Sequence, residues 1–311
     1  MIHRLVRESP ENAKPVTPPE KRSFSVEESF AYCERVVRAS AENFPVASRF
    51  VPAELRPYVW AIYAFARTAD DFADEPAYEG RRAEALDHWE SELERCYHGD
   101  ADHPVFIALR EAVDKRDIPI SPLRDLLTAF RIDLSQRRHS TFSSLKSYCE
   151  YAAAPVGRLM LYAFDYRDPA LMRFADDLSV ALQLAKIVQD VALDARRGFL
   201  YLPEEDLSHF GVTAEDLASG RLCTEMTDLM RFQVARARTY FERGRPLIAK
   251  VGRDLSFEMS LIWHGGMTIL SKIEAADFDV WRRRPALDTV DKMRMVWKSA
   301  AHRWPERRPA R

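Results

Sequence analysis

One periodicity runs along most of this sequence: apolar residues recur at spacings of three and four, as on one face of an α-helix. Val26, Phe30, Cys33 and Val37 form one such stripe, and residues 53–75 form a longer one. The alternation of apolar and polar residues that marks a half-buried strand is nearly absent. We therefore predict an all-α, single-domain fold, because the short polar breaks suit neighbouring antiparallel helices.

The predicted helices divide the chain into a main domain and two ends. They cover residues 26–41, 53–75, 79–97, 102–116, 122–138, 143–151, 155–164, 168–195, 224–250, 255–277 and 288–301. The segment 168–195 is apolar on nearly all sides, so we place it at the centre of the fold. Residues 1–22, rich in proline and without periodicity, are expected to form a disordered leader before a domain over 23–285. Residues 286–311 are expected to form a basic helix and tail.

Composition excludes several classes of protein. The chain has ten glycines in 311 residues, about 3% against a usual value of roughly 7%. None of them forms a GxGxxG or GxxxxGK[ST] pattern, so no dinucleotide or P-loop fingerprint is present. The four cysteines lack zinc-ligand spacing, which predicts reduced thiols in a cytoplasmic protein. No uncharged apolar run is long enough to span a membrane.

Charge is distributed unevenly along the chain. The formal net charge is -2, which indicates no nucleic-acid partner. Residues 282–311, however, hold ten Lys or Arg against three acids. We interpret this basic end mainly as a solvated tail. The alternatives are contact with nucleic acid or with anionic lipid, the latter as peripheral contact to the cytoplasmic face of a membrane.

Two pairs of aspartates interrupt the most apolar predicted helices. Asp70 and Asp74 are four residues apart, and so are Asp190 and Asp194, so each pair projects from one helical face. Like charges at this spacing destabilise a helix, and a carboxylate on an apolar helix is costly unless it is paired or bound to metal. A solvated acidic face would explain one such pair more readily than two.

The residues near these aspartate pairs indicate which ligand the carboxylates bind. Asp71 lies beside the first pair, Arg67 lies three residues before Asp70, and Gln183 lies two turns before Asp190. Carboxylates without His or Cys suit Mg²⁺ rather than zinc, and Mg²⁺ readily shares phosphate oxygens. A di-iron bundle would need Glu-x-x-His, which the chain lacks. The pattern predicts a site for a diphosphate held through several Mg²⁺ ions.

Taken together, several strings resemble the squalene/phytoene synthase family of head-to-head isoprenoid synthases, from about residue 24 to 287. The matching strings are Tyr63–Glu75, Tyr148–Leu159, Gln183–Asp194 and Tyr201–Leu207. Within the family, the segment Glu42–Ser48 is similar to the hydroxysqualene synthase branch of hopanoid pathways. The resemblance implies a helical bundle around a central cavity, with the two aspartate motifs facing each other at its mouth.

The resemblance also implies roles for individual residues. Asp70, Asp71, Asp74, Asp190 and Asp194 would hold Mg²⁺, with Mn²⁺ as a substitute. The remaining assignments are Arg67 at the diphosphate, Tyr63 and Tyr148 near the leaving group, Gln183 near a cationic intermediate, and Asn43, Phe44, Val156, Gly157 and Arg283 at the substrate.

Two positions depart from the family pattern. Lys186 stands where the family usually has an asparagine that ligates metal, and Phe199 stands where an arginine is common. A protonated lysine cannot ligate Mg²⁺. Lys186 therefore either replaces one metal ion as a fixed catalytic cation or marks a weakened metal site.

The expected reaction is the conversion of presqualene diphosphate and water to hydroxysqualene and diphosphate, without NADPH. Condensation of two prenyl diphosphates to presqualene diphosphate or phytoene is the main alternative, and a non-catalytic relative is a third. The expected partners are a prenyl diphosphate substrate and neighbouring enzymes of the same pathway. The sequence identifies no general base.

Overall fold

A computed structural model describes residues 23–39 and 51–301. Within these ranges the chain is helical and forms no strand, apart from one isolated bridge between Arg138 and Leu200. The predicted all-α class is confirmed. The chain divides into two compact units, the first ending at Gln136 but including Pro155–Asp168, and the second combining Arg137–Ala154 with the residues from Pro169 onwards.

The first unit is built around α2. Its helices are α1 (Val26–Ala39), α2 (Arg56–Asp74), α3 (Arg82–His98), α4 (Pro104–Arg116), α5 (Ser121–Ser135) and most of α7 (Ala154–Ala163), with a short 3-10 turn at Pro76–Tyr78. Pro57 lies in the first turn of α2, where its missing N–H is tolerated. Eleven of the 19 residues of α2 are buried, which places this helix in the core of the unit.

The second unit is built around α8. Its helices are α6 (Phe142–Ala152), α8 (Pro169–Arg196), α9 (Glu204–Phe210), α10 (Ala214–Ser219), α11 (Thr224–Gly244), α12 (Pro246–Lys250), α13 (Arg253–Ala275) and α14 (Thr289–Ala301). Fifteen of the 28 residues of α8 are buried, as its all-round apolar sequence predicts. Gly244 lets α11 approach α8 closely, because a Cβ there would lie 2.7 Å from the backbone nitrogen of Leu178.

The observed helices differ from the predicted ones in two main respects. The predicted helix over 224–250 is broken into α11 and α12, because Pro246 cannot donate the backbone hydrogen bond that would continue α11. The short helices α9 and α10 were not predicted, since six or seven residues carry too little periodicity. In the described part of the chain, no helix has the length and apolar character needed to cross a bilayer.

Candidate active site

In the first unit, α2 carries an arginine and three aspartates close together. Arg67 Nη2 donates to Asp71 Oδ1 at 2.5 Å, and Arg67 Nη1 lies 3.9 Å from Asp70 Oδ2. The Arg67 side chain is 8% exposed and that of Asp70 is fully buried, whereas Asp74 is exposed at the end of the helix. The guanidinium therefore orients two carboxylates where little water competes for them.

Aromatic packing fixes the orientation of α2. Phe65 is fully buried and stacks on Trp89, with ring centroids 6.1 Å apart. Trp89 Nε1 also donates to the carbonyl oxygen of Phe65 at 3.2 Å. Tyr63, one turn before Arg67, is 3% exposed. Rotating α2 would uncover these rings, so their burial determines which way the acidic residues point.

In the second unit, α8 carries a buried aspartate with a cation on each oxygen. Lys186 Nζ donates to Asp190 Oδ2 at 2.6 Å, and Arg284 Nε donates to Asp190 Oδ1 at 2.5 Å. Both side chains of the lysine–aspartate pair are 9% exposed. Burial opposes ionisation of Asp190, but the ammonium and the guanidinium hold its pKa below the usual value. Burial lowers the pKa of Lys186, and the contact with Asp190 opposes this shift. With both basic side chains protonated, the formal charges of Lys186, Asp190 and Arg284 add up to +1.

The connection between α13 and α14 places Arg284. Gln189 Nε2, on α8, donates to the carbonyl oxygen of Pro285 at 2.5 Å. Lys272 Nζ, on α13, donates to the carbonyl oxygen of Ala286 at 2.8 Å. Two neighbouring backbone groups are therefore held by two different helices, which fixes the guanidinium of Arg284 against α8.

Two further polar side chains on α8 flank this cluster. Gln183, two turns before Asp190, is 4% exposed, and its Oε1 accepts no hydrogen bond from the described residues. A buried amide oxygen in this state is costly unless a ligand satisfies it, and its dipole would stabilise a positive charge. Asp194, one turn after Asp190, is 8% exposed.

An aromatic group lies in the same unit. Tyr148 on α6 stacks on Tyr201 with centroids 5.6 Å apart, and the His139 ring lies 5.2 Å from Tyr148. Burial lowers the pKa of His139 to about 4, so this ring is neutral at pH 7. Phe199 also stacks on Tyr201, with centroids 6.0 Å apart, and the guanidinium carbon of Arg137 lies 5.0 Å from the centroid of Phe199.

The structure places most, but not all, of the predicted site residues. Tyr148, Gln183, Lys186, Asp190 and Asp194 are all buried in the second unit. Tyr63 and Arg67 are buried with Asp70 in the first unit, where Asp71, Val156 and Gly157 are half-buried. Asn43 and Phe44, like the predicted leader over 1–22, lie outside the described residues.

Two arginines were missed by sequence reasoning. Arg283, predicted to face the diphosphate, is exposed, whereas its neighbour Arg284 contacts Asp190. The run of three arginines at 282–284 does signal a cationic element, but it does not show which side chain turns inwards. Arg137 lies far from Phe199 in sequence, and the backbone hydrogen bond from Leu200 N to Arg137 O, 2.8 Å long, brings their segments together.

The chemistry of the carboxylates fits a hard divalent cation. In the described ranges, no three His, Cys, Asp or Glu side chains converge into a ready-made metal cage. Mg²⁺ does not need such a cage, because it keeps several waters and is commonly bound by one or two carboxylates together with substrate phosphates. Asp71, which is half-buried, and Asp74, which is exposed, are the carboxylates of α2 open to this kind of binding.

The described ranges form an α-helical fold that matches solved isoprenoid synthases. A crystal structure of squalene synthase HpnC from Alicyclobacillus acidocaldarius superimposes with a TM-score of 0.79 at 35% identity, covering 86% of this chain and 98% of that one. A dehydrosqualene synthase in complex with a ligand superimposes with a TM-score of 0.81 at 24% identity, covering 89% and 97% of the two chains.

Sequence comparison gives the family. The squalene/phytoene synthase model matches residues 37–291. A phytoene synthase from Arthrospira platensis is 33% identical over 282 residues, covering 86% of this chain and 90% of its own length. A 15-cis-phytoene synthase from Synechococcus elongatus is 31% identical over 292 residues, covering 88% and 93% of the two chains. The chain belongs to the squalene/phytoene synthase family, whose members are enzymes that process prenyl diphosphates.

Proposed function

We propose that this protein is a hydroxysqualene synthase, which converts presqualene diphosphate and water to hydroxysqualene and diphosphate. The observation that carries the proposal is the cluster Lys186–Asp190–Arg284, in which each oxygen of one buried carboxylate already has a protein cation. The 35% identity to squalene synthase HpnC over nearly all of that chain supports the same branch.

The first step is departure of the diphosphate. Charge grows on the leaving oxygens as the carbon–oxygen bond breaks, and preorganised cations in a poorly hydrated site stabilise that charge. Arg67 offers a planar fork suited to phosphate oxygens, and its two aspartates keep it oriented. Of the five aspartates predicted to hold Mg²⁺, we propose Asp71, Asp74 and Asp194, because both oxygens of Asp190 are engaged by protein cations and Asp70 is fully buried beside Arg67. Bound Mg²⁺ would act as a Lewis acid on the diphosphate.

The second step is capture of the carbocation. Buried aromatic faces such as that of Tyr148, and the amide oxygen of Gln183, present negative charge density to a cation. Water then adds to the carbon, its oxygen forming the new bond, and the proton passes to the released diphosphate. The reaction needs no hydride donor, so we propose that it runs without NADPH.

The charge balance of the second unit favours a substrate with one diphosphate. Condensing two prenyl diphosphates requires neutralising two diphosphate groups, which calls for many carboxylate-bound metal ions. Here both oxygens of Asp190 are engaged by protein cations, and a lysine stands at the family's usual metal-ligand position. A fixed cation in place of a metal ion suits a site that ionises a single diphosphate.

The test uses two substrates supplied separately with Mg²⁺. Presqualene diphosphate in H₂¹⁸O is expected to give hydroxysqualene that carries ¹⁸O, with farnesyl diphosphate alone left unconsumed. The measurement is mass spectrometry of the extracted product. Turnover of farnesyl diphosphate without turnover of presqualene diphosphate would refute the proposal.

Condensation remains the second candidate function. The observation that favours it is that both cyanobacterial relatives are named as phytoene synthases. Geranylgeranyl diphosphate as sole substrate tests it, since phytoene would form without any presqualene diphosphate.

We further propose that the protein works at the periphery of a membrane beside enzymes that handle the same lipids, because its substrate and product are both lipids.

A further inference from the structure

Helix α14 exposes more apolar side chains than it buries. Its buried residues are Asp291, Met295 and Ser299, of which only one is apolar. The exposed fractions are 49% for Val290, 60% for Met293, 40% for Val296 and 72% for Trp297. A helix on the surface of a globular protein normally has the opposite arrangement, with its apolar stripe against the core.

The inner side of α14 is anchored by charge rather than by apolar packing. Lys272 on α13 forms ion pairs with Asp291 and with Asp288, the latter with Nζ and Oδ2 3.0 Å apart. The backbone N–H of Asp288 also donates to Asp291 Oδ2 at 3.0 Å. Ion pairs and hydrogen bonds thus hold α14 in place, so its exposed apolar face is a defined surface of the folded unit.

A cationic cavity of about 510 Å³ lies beside this face, between α13 and α14. Arg245, Arg294 and Lys298 line it, together with the hydroxyl residues Thr268 and Ser271. Its one lining carboxylate, on Asp291, is already engaged by Lys272. Arg245 also pairs with Glu242, with Nη1 and Oε2 3.5 Å apart, so Arg294 and Lys298 are the cavity cations that suit an anionic headgroup phosphate.

We propose that α14 docks this protein on an anionic lipid bilayer, with Val290, Met293, Val296 and Trp297 entering the interface. An interfacial helix combines an apolar face containing Trp with cations at its edges, which is the pattern seen here. Charge complementarity favours an anionic bilayer as the partner of this face. Lys292, Arg294 and Lys298 border it, and the helix contains only one acidic residue.

Vesicle flotation with the full chain tests the proposal. Vesicles of phosphatidylcholine with phosphatidylglycerol are expected to carry the protein to the top of the gradient, and pure phosphatidylcholine vesicles much less of it. The double variant Met293→Ser, Trp297→Ser should lower the bound fraction at least fivefold. Arg294→Gln with Lys298→Gln should weaken binding about thirtyfold at low salt, since each cation near an anionic surface contributes about 1 kcal/mol.

Matched control variants test whether a loss of vesicle binding is specific to the apolar face and the cations of α14. Leu222→Ser removes an apolar side chain that is 39% exposed elsewhere in the unit, and it should leave binding unchanged. Lys115→Gln with Lys250→Gln makes the same charge change at exposed positions on α4 and α12, and should weaken binding less than threefold. Thermal unfolding of every variant establishes that it is folded.

Three outcomes would overturn the proposal. The first is that the full chain binds neither kind of vesicle. The second is that the α14 variants bind as well as the matched controls. The third is a concentration-dependent dimer in light scattering that the α14 variants abolish, which would mean that a second copy covers this face. Turnover of presqualene diphosphate in detergent is independent of all three, so it separates this proposal from the proposed function.

Discussion

At the scale of single residues, the lysine at position 186 has a physical explanation. Its ammonium donates to Asp190 Oδ2 and cannot bind Mg²⁺ while protonated. With Arg284 on the other oxygen, it fills the coordination sites that a metal ion would use. The pair is an i,i+4 contact visible in the sequence, but the arginine that completes the cluster comes from a segment 94 residues away.

Replacing this lysine tests its role. Lys186→Asn is expected to reduce kcat for presqualene diphosphate at least tenfold and to raise the Mg²⁺ concentration needed for half-maximal turnover, because the freed carboxylate oxygen then requires another cation. A Mg²⁺ titration of the initial rate measures both quantities. Lys146→Asn, which removes an exposed i,i+4 pair with Glu150, is the matched control and should change neither. Higher activity in Lys186→Asn would contradict a role for the lysine.

The two aspartate clusters should respond differently to the same substitution. Asp70→Asn leaves Arg67 bonded to Asp71, so the fold should persist while kcat falls about a hundredfold or more. Asp190→Asn leaves two cations beside a neutral amide, so it should lower the melting temperature as well as kcat. The sequence alone predicts an intact fold for both variants, because each relieves like-charge repulsion. Equal melting temperatures would refute the assigned ion-pair geometry.

At the scale of elements, close packing within the second unit explains two of the glycines in a chain so poor in them. Gly244 lies where α11 meets the backbone of α8, and Gly266 on α13 leaves room for the ring of Phe241, whose Cζ would lie 2.1 Å from an added Cβ. Backbone cannot move aside as a flexible side chain can, so the first position is the more demanding of the two.

Gly244→Ala should therefore destabilise the second unit. The new Cβ would lie 2.7 Å from Leu178 N, and forcing α8 and α11 apart costs about 1–3 kcal/mol of unfolding free energy, as overpacking does. Urea unfolding followed by circular dichroism measures the change. Thr239→Ala, at an exposed position of α11, is the control and should be neutral or slightly stabilising. A neutral Gly244→Ala would mean that the two helices are not this close.

At the scale of the whole molecule, each unit contains a histidine that its surroundings keep neutral: half-buried His103 in the first unit and buried His139 in the second. Burial lowers the pKa of His103 to about 4, with the charge of His88 adding to the shift, and burial lowers that of His139 to about 4. His103 Nδ1 accepts the N–H of Val105 at 3.2 Å and so caps α4, which requires an unprotonated nitrogen. Both units thus depend on imidazoles that stay neutral when folded.

The folded state should therefore become less stable as the pH is lowered from about 6.5 to about 4. Each histidine has a lower pKa in the folded than in the unfolded chain, so its contribution is complete above about pH 6.5 and is lost as the pH falls towards 4. The melting temperature measured across this range should drop, and His103→Asn, which keeps a capping oxygen, should flatten the curve. A curve of unchanged slope in this variant would show that His103 does not titrate on unfolding.

The sequence by itself determined the fold class, most helix positions and the placement of the two aspartate pairs on long helices. These follow from local rules, because a period of 3.6 fixes which residues share a helical face. It placed Lys186 next to Asp190, since four residues form one turn. It could not separate Arg283 from Arg284, because an irregular connection has no period from which the direction of a side chain can be read.

Only the tertiary structure decided which distant groups meet. The engagement of both oxygens of Asp190, the ring of Phe199 against Arg137, and the outward apolar face of α14 all depend on packing between segments far apart in sequence. Hydrophobic periodicity predicts that α14 has an apolar face, but not that this face points to solvent. Its orientation is set by the ion pairs of Lys272 with Asp288 and Asp291. Long-range pairing of this kind is fixed by the folded chain as a whole and is not encoded in any local window.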